Sequence, residues 1–247
     1  IEQPNEESGE STGRPPLVLV RPGIGPAARA EPNGQGVSVA APLPRQAMIL
    51  SVCVFLAGVA MVAFYAPQLP HSGLVGLVLL TLMAAASERL SIIAYRETWV
   101  SISFVSLFAI AALYGPAGVA VATPVAVLSL HFPRRMLPYR LMFNSGNSVL
   151  ADVATALVLS SLLVGSSQIT LSARVLIVAL AASAANYGVR AVLISSVAGL
   201  ATHQRPWTVW REGSQWLIPH YLVFGLLGLA LAVAYQQIGV TGLLAFA

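Results

Sequence analysis

The sequence is poor in charge, has no lysine and contains a single cysteine. Only 9% of its 247 residues are charged, whereas 57% are hydrophobic; this balance excludes an ordinary water-soluble domain. The lone cysteine, Cys53, excludes a disulfide framework and a cysteine metal site. All 13 basic residues are arginine, and they form no clustered surface for nucleic acid. We therefore expect lipid headgroups, rather than nucleic acid, as their acidic neighbours.

The motifs of catalytic and nucleotide-binding sites are also missing. There is no G-x-S-x-G, no H-E-x-x-H, no G-x-x-x-x-G-K and no adjacent His-Asp doublet. The four histidines lie in separate segments on both expected sides of a membrane, which argues against a shared metal site. We expect no catalytic residue, no metal and no cofactor in this chain.

The composition changes sharply near residue 46. Residues 1–46 hold eight prolines, six glycines and five glutamates, and such a segment cannot bury enough apolar surface to offset its ordering entropy. The sequence predicts a disordered tail over 1–46 and a membrane body over 47–247. Because the chain starts at Ile1 and its last apolar segment, Gly239 to Ala247, is too short to cross a bilayer, we expect a fragment with a truncated final span.

The membrane body divides into apolar runs separated by turns and charged loops. The predicted spans cover 47–65, 73–87, 99–114, 117–131, 141–164, 173–202 and 215–235, and an eighth starts at 239. The third and fourth spans are short and are separated by Gly115 and Pro116, which leaves open a tilted, kinked or re-entrant hairpin. The predicted fold is an all-α polytopic membrane helix bundle with seven or eight transmembrane helices.

The arginines indicate an orientation for this bundle. If the spans alternate, eight arginines fall on one side: Arg45, Arg89, Arg96, Arg134, Arg135, Arg140, Arg205 and Arg211. Only Arg174, at a span end, falls on the other. Because cytoplasmic loops carry the excess of basic residues, we expect a cytoplasmic N-terminus in a bacterial inner membrane.

Polar residues inside the fifth and sixth spans are candidates for function. Asn144, Ser148, Asp152 and Thr155 share one helical face, and Ser183, Asn186 and Arg190 share another. A charged side chain within a span is costly, so Asp152 should face protein or water rather than lipid. Asp152 and Arg190 are expected at similar depth, where they would neutralise each other.

Three further polar residues are expected in the same cytoplasmic half of the bundle: Glu88, Asn147 and His220. Together with Asn144, Asp152, Asn186 and Arg190, they would suit a pocket open to the cytoplasm, with the carboxylates as acceptors and the arginine as an anion contact. The alternative is structural: the same residues would hold two helices together and anchor helix ends. The sequence leaves both interpretations open.

Short motifs in the membrane body resemble a known family. They are VSISF at 100–104, AALYGPA at 111–117, RLMFN at 140–144, WRE at 210–212 and WLIPH at 216–220. The body resembles a bacterial membrane region that precedes HD-GYP phosphodiesterase domains or, less often, diguanylate cyclase domains, both of which act on cyclic di-GMP. The resemblance implies a sensory or anchoring input region with an undefined ligand, and it carries no catalytic residue onto this chain.

Two classes of function therefore remain. The first is a membrane-embedded sensory or anchoring module that passes a change in helix packing to a cytoplasmic effector domain in the same polypeptide. Such coupling requires different ligand affinities for two packings. The second is a small-molecule transporter or its substrate-binding membrane component. The expected partners are the bilayer, that effector and an unidentified small molecule, with the oligomeric state left open.

Overall fold

The computed structural model of the chain describes residues 44–70, 73–89, 92–93, 99–100, 102–134, 138–162 and 172–244. The fold is all-α, and its helices are α1 (Arg45–Tyr65), α2 (Leu74–Arg89), α3 (Ser103–Arg134), α4 (Pro138–Leu162), α5 (Ala173–Thr202), α6 (Pro206–Gly213), α7 (Ile218–Ile238) and α8 (Val240–Leu244). Short 3₁₀ helices follow α1 at Ala66–Gln68 and precede α7 at Gln215–Leu217. Residues 1–43 of the predicted tail lie outside the described residues, and α1 takes in the last two residues of that segment.

Helix α4 is in contact with α1, α3 and α5. Helix α7 packs against α3 and α5, and α2 packs against α3. Several of these contacts depend on small residues that let backbones approach. A Cβ atom at Gly146 of α4 would lie 2.7 Å from the Cα of Phe55 in α1, so α1 and α4 pack backbone to backbone, as membrane helices commonly do.

The outer surface of the helices is strongly apolar. Large side chains on it include Ile49, Leu56 and Phe64 of α1 and Val75 of α2, which are all exposed. The buried positions of α1 are instead Ala47, Ser51, Val54 and Gly58. A contiguous apolar exterior over small buried residues suits lipid as the surrounding solvent.

The third predicted span begins later than expected. Trp99–Val100 (β2) pairs antiparallel with Ile92–Ile93 (β1), with Ile92 opposite Val100 and Ile93 opposite Trp99. β-branched and aromatic residues favour such an extended pairing. The prediction of a helical span from Trp99 was therefore wrong at this boundary, and α3 starts at Ser103.

Helix α3 folds back on itself at Gly115. Gly115 has φ 62° and ψ −157°, which interrupts the helical backbone and is accessible chiefly to glycine. The Ser103 hydroxyl donates a hydrogen bond to Glu88 in the last turn of α2. The Ser129 hydroxyl shares its single hydrogen between the Ala126 carbonyl of its own helix at 2.6 Å and the Ala85 carbonyl of α2 at 3.1 Å. In a straight helix these two serines would be about 39 Å apart. Both ends of α3 therefore lie beside the end of α2.

The tip of this hairpin lies at the opposite end of α2. The Tyr114 hydroxyl donates a hydrogen bond of 2.8 Å to the carbonyl of Gly73, just before α2 begins. A Cβ at Gly118 would be 3.0 Å from the side chain of Ile110, eight residues earlier, so the two arms are in contact. The kinked hairpin left open by the sequence is the observed form of this segment.

Four helical stretches in the described ranges are long and apolar enough to cross a membrane: Arg45–Gln68, Ser103–Ser129, Ala173–Thr202 and Gln215–Ile238. The chain is therefore a membrane-type protein, but this number is smaller than the seven or eight spans predicted. The smaller number has physical reasons in α2 and α4. Helix α2 has only 16 residues, or about 24 Å, and α4 carries the polar residues Asp152 and two asparagines. The α3 hairpin counts as one stretch although it has two arms.

Candidate functional site

The candidate site is built on one face of α4, where polar side chains point at α3 and α5. Ser148, Asp152 and Thr155 recur every three or four residues, so they lie one above the other on the same helical face. The side chain of Asp152 is only 2% exposed. An ionised carboxylate at such a position requires hydrogen-bond donors and a compensating charge.

Three side chains donate hydrogen bonds to the Asp152 carboxylate. Its Oδ2 accepts from the Thr123 hydroxyl of α3 at 2.9 Å. Its Oδ1 accepts from Nδ2 of Asn186 at 2.8 Å and from Nη2 of Arg190 at 3.3 Å, both on α5. The carboxylate is therefore satisfied by two helices at once, and one of its donors is a cation.

Arg190 is held in turn by acceptors on both α4 and α5. Its Nε donates to Oδ1 of Asn186 at 3.0 Å, and its Nη1 donates to the Ser148 hydroxyl at 3.1 Å. Arg190 retains 19% side-chain exposure, while all three nitrogens of its guanidinium group donate to partners on α4 and α5. The rigid fork of arginine suits this arrangement, whereas the single ammonium of a lysine could not reach all three partners.

Asn186 links the two charged residues. Its carbonyl oxygen accepts from Arg190, while its amide nitrogen donates both to Asp152 and, at 2.9 Å, to the Thr155 hydroxyl. Thr155 itself donates to the backbone carbonyl of Ala151. We refer to Thr123, Ser148, Asp152, Thr155, Asn186 and Arg190 as the three-helix network. Each hydrogen bond of this network either joins α4 to α3 or α5, or orients a side chain that makes such a bond.

The predicted pairing of Asp152 with Arg190 is confirmed by this geometry. Asn186 also takes the position expected from its shared face with Arg190. Thr123 was missed by the sequence analysis, because a single threonine beside Pro124 gives no periodic signal. Its only indication in the sequence is that it is a hydroxyl residue in the middle of an apolar run, where it needs a hydrogen-bond partner.

Glu88 lies near the network but not within it. It accepts a hydrogen bond from Ser103 at the start of α3, and it is within electrostatic range of the Arg190 guanidinium. Asp152 alone forms an ion pair with Arg190 among the described residues, and Glu88 adds a more distant negative charge from the end of α2.

The remaining predicted site residues occupy different surroundings. Asn147 is buried, and its Oδ1 has no hydrogen-bond partner among the described residues. Asn144 is half-buried two turns before Asp152. His220 is exposed and packs edge-to-face against Trp216 at a centroid distance of 5.3 Å. A ligand role for these residues stays a prediction.

An aromatic connection joins α5 to α6, and it was not predicted from the sequence. Tyr187 lies one turn before Arg190; its hydroxyl accepts from the Trp210 indole at 2.8 Å and donates to the Ser214 carbonyl at 2.9 Å. The Tyr187 ring contacts that of Tyr221 in α7, with centroids 5.5 Å apart. Helix α6 is therefore hydrogen-bonded to the turn of α5 that carries Arg190.

No protein-family model, curated protein or solved structure matches this chain. Within the described part of the chain, no three histidine, cysteine or acidic side chains are arranged to hold a metal ion. The chemistry of the site is that of a buried, hydrogen-bonded charge network at a three-helix junction.

Proposed function

We propose that this chain is the membrane-embedded input region of a bacterial signalling protein, and that it anchors and controls a cytoplasmic effector domain in the same polypeptide. The observation that carries the proposal is the three-helix network, whose residues Asn186 and Arg190 lie on the same turn of α5 as Tyr187, which is hydrogen-bonded to α6. The resemblance of the membrane body to regions ahead of cyclic di-GMP enzymes supports the same assignment.

In this proposal the chain crosses the inner membrane seven times before α8. The crossings are α1, α2, the two arms of α3, α4, α5 and α7, and α8 would begin an eighth. Because α2 and the first arm of α3 are shorter than the hydrocarbon core, the bilayer must thin locally around them. The hydrogen bonds from Ser103 and Ser129 to the end of α2 support two crossings by α3. Arg89, Arg140 and Arg205 then share one side, which the distribution of basic residues assigns to the cytoplasm together with the N-terminus.

The network suits a switch because its charges stabilise one helix packing strongly. In a medium of low dielectric constant, separating Asp152 from Arg190 is costly unless each finds a new partner. A ligand that binds Arg190 competes with Asp152, and it shifts the helix packing only by its difference in affinity for the two arrangements.

Helix α7 is placed to transmit such a shift. A Cβ at Gly225 would lie 1.7 Å from the Ser183 hydroxyl of α5, and one at Gly228 would lie 2.6 Å from Cβ of Phe108 in α3. Helices in such close contact move together, because a densely packed interior has no free volume to absorb a displacement. A change at the network would therefore reach the C-terminal helices of the bundle.

The test is cyclic di-GMP turnover by the full-length natural protein in membranes. The Arg190→Lys variant keeps the positive charge but loses the planar guanidinium group with its several donors. We expect it to change turnover by about fivefold or more at equal protein level, which corresponds to the lower end of typical coupling energies. The matched control is Ile177→Ala, which alters an exposed apolar residue of the same helix and should leave turnover unchanged.

Equal turnover in both variants would contradict the proposal, as would a coding sequence that stops shortly after Ala247. A coding sequence that stops there would favour the transporter interpretation. That interpretation is tested by measuring whether the purified protein retains a bound substrate.

A further inference from the structure

Helix α6 presents a polar depression to the outside of the bundle. The depression has a volume of about 420 Å³ and is lined by Trp207, Thr208, Arg211, Glu212 and Gln215. These residues recur at helical spacing, so they form one continuous face of α6 and the 3₁₀ turn after it. The size falls within the range of small-ligand sites.

The opposite side of α6 is fixed to the bundle. Trp210 donates its indole hydrogen to Tyr187 of α5, and a Cβ at Gly199 of α5 would lie 3.3 Å from the nitrogen of Pro206. The depression is therefore held at the end of α5 rather than on a free segment. This end of α5 is followed by Arg205 and Arg211, so it belongs to the arginine-rich end of the bundle.

The depression is lined by an exposed tryptophan of the kind that is found at membrane interfaces. Trp207 is 65% exposed and its ring contacts that of Trp210 at a centroid distance of 4.5 Å. Exposed tryptophans at the end of an apolar helix typically lie at the level of the lipid headgroups. A ligand reaching this face would thus come from the bilayer surface.

We infer that this depression binds the headgroup of a phospholipid that carries a phosphodiester and a primary ammonium group, as in phosphatidylethanolamine. Arg211 provides a forked donor for the phosphate oxygens. Glu212 and the side-chain carbonyl of Gln215 provide acceptors for the three hydrogens of the ammonium group. A purely anionic headgroup would meet the Glu212 carboxylate, and a quaternary ammonium has no hydrogen to donate.

The test uses the purified full chain in vesicles of phosphatidylcholine that contain a minor fraction of brominated lipid, which quenches nearby indoles. The difference between the wild type and Trp207→Phe isolates the fluorescence of Trp207. We expect brominated phosphatidylethanolamine to be enriched at Trp207 by about tenfold over brominated phosphatidylcholine, the factor of one charge-assisted hydrogen bond. Enrichment should fall stepwise as the ammonium is methylated.

Variants identify the side chains responsible. Arg211→Gln and Glu212→Gln should each reduce the enrichment to less than about twofold. The first removes the charged donor for the lipid phosphate, and the second removes the charged acceptor for the lipid ammonium group. The matched control is Arg205→Gln, which removes the same charge as Arg211→Gln at the same end of the bundle but from a residue outside the depression. It should leave the enrichment intact, and circular dichroism should show all variants folded.

The inference is overturned if phosphatidylethanolamine and phosphatidylcholine quench Trp207 equally, or if phosphatidylglycerol is preferred to both. It is also overturned if Arg205→Gln reduces the enrichment as much as Arg211→Gln does, since the effect would then come from the overall positive charge of this end of the bundle. Displacement of the bound lipid by millimolar soluble glycerophosphoethanolamine would contradict a bilayer source. None of these outcomes depends on whether the chain signals.

Discussion

Arg190→Met is expected to lower the free energy of unfolding by about 3 kcal/mol, the loss seen when one member of a buried ion pair is removed. The substitution leaves Asp152, only 2% exposed, with an uncompensated charge. Thr123 and Asn186 still donate to the carboxylate, but two neutral donors do not replace a cation. The measurement is equilibrium unfolding of the full chain in mixed detergent micelles.

A double-mutant cycle separates this pair from ordinary packing. The double variant Arg190→Met with Asp152→Asn should be more stable than Arg190→Met alone, because the second change removes the stranded charge. The control is Arg205→Met, an exposed arginine whose loss should change stability by less than about 0.5 kcal/mol. Additive losses in the cycle would show that Asp152 and Arg190 do not act as a pair.

Gly146→Ala is expected to destabilise the bundle by about 2 to 3 kcal/mol, because overpacking a tight contact forces backbone displacement. The new Cβ would lie 2.4 Å from the carbonyl oxygen of Val54 and 2.7 Å from Cα of Phe55. Both are backbone atoms, so no side-chain rotation can relieve the contact, and α1 must move away from α4. Equilibrium unfolding in the same micelles gives the magnitude.

Gly188→Ala is the matched control for this change. Gly188 also lies within a long helix, but nothing is found within 4 Å of its Cβ position. Alanine there should be neutral or stabilise by about 0.5 kcal/mol, since glycine is a poor helix former. Equal losses for Gly146→Ala and Gly188→Ala would mean that the close approach of α1 and α4 does not contribute to stability.

The sequence predicted the positions of most helices because hydrophobic runs with polar ends are a strong local signal. Helix α5 occupies Ala173–Thr202 as predicted, and both ends have local causes: the Ser172 hydroxyl accepts from the backbone nitrogen of Val175, and His203 takes a left-handed conformation. The sharing of one face by Ser148, Asp152 and Thr155 likewise follows from helical periodicity alone.

Features that depend on tertiary contacts were not predictable. The break at Gly115 and Pro116 was visible in the sequence as a turn between two short apolar runs, but the contacts of both arms with α2 were not. The donation from Thr123 to Asp152 spans 29 positions, and the link between Trp210 and Tyr187 depends on how α6 returns against α5. Periodicity places a residue on a face but does not say which helix that face meets.

The topology proposed for α3 is a hairpin whose two ends lie on the same side of the membrane. It is tested by introducing cysteines one at a time into a Cys53→Ser background and labelling intact cells with an impermeant maleimide. Arg89→Cys, before α3, and Arg140→Cys, after it, should both react only after the cells are lysed. Gln68→Cys and Gln237→Cys, exposed near the other ends of their helices, should react in intact cells. Labelling of Arg89→Cys and Arg140→Cys from opposite sides would contradict the hairpin and the topology built on it.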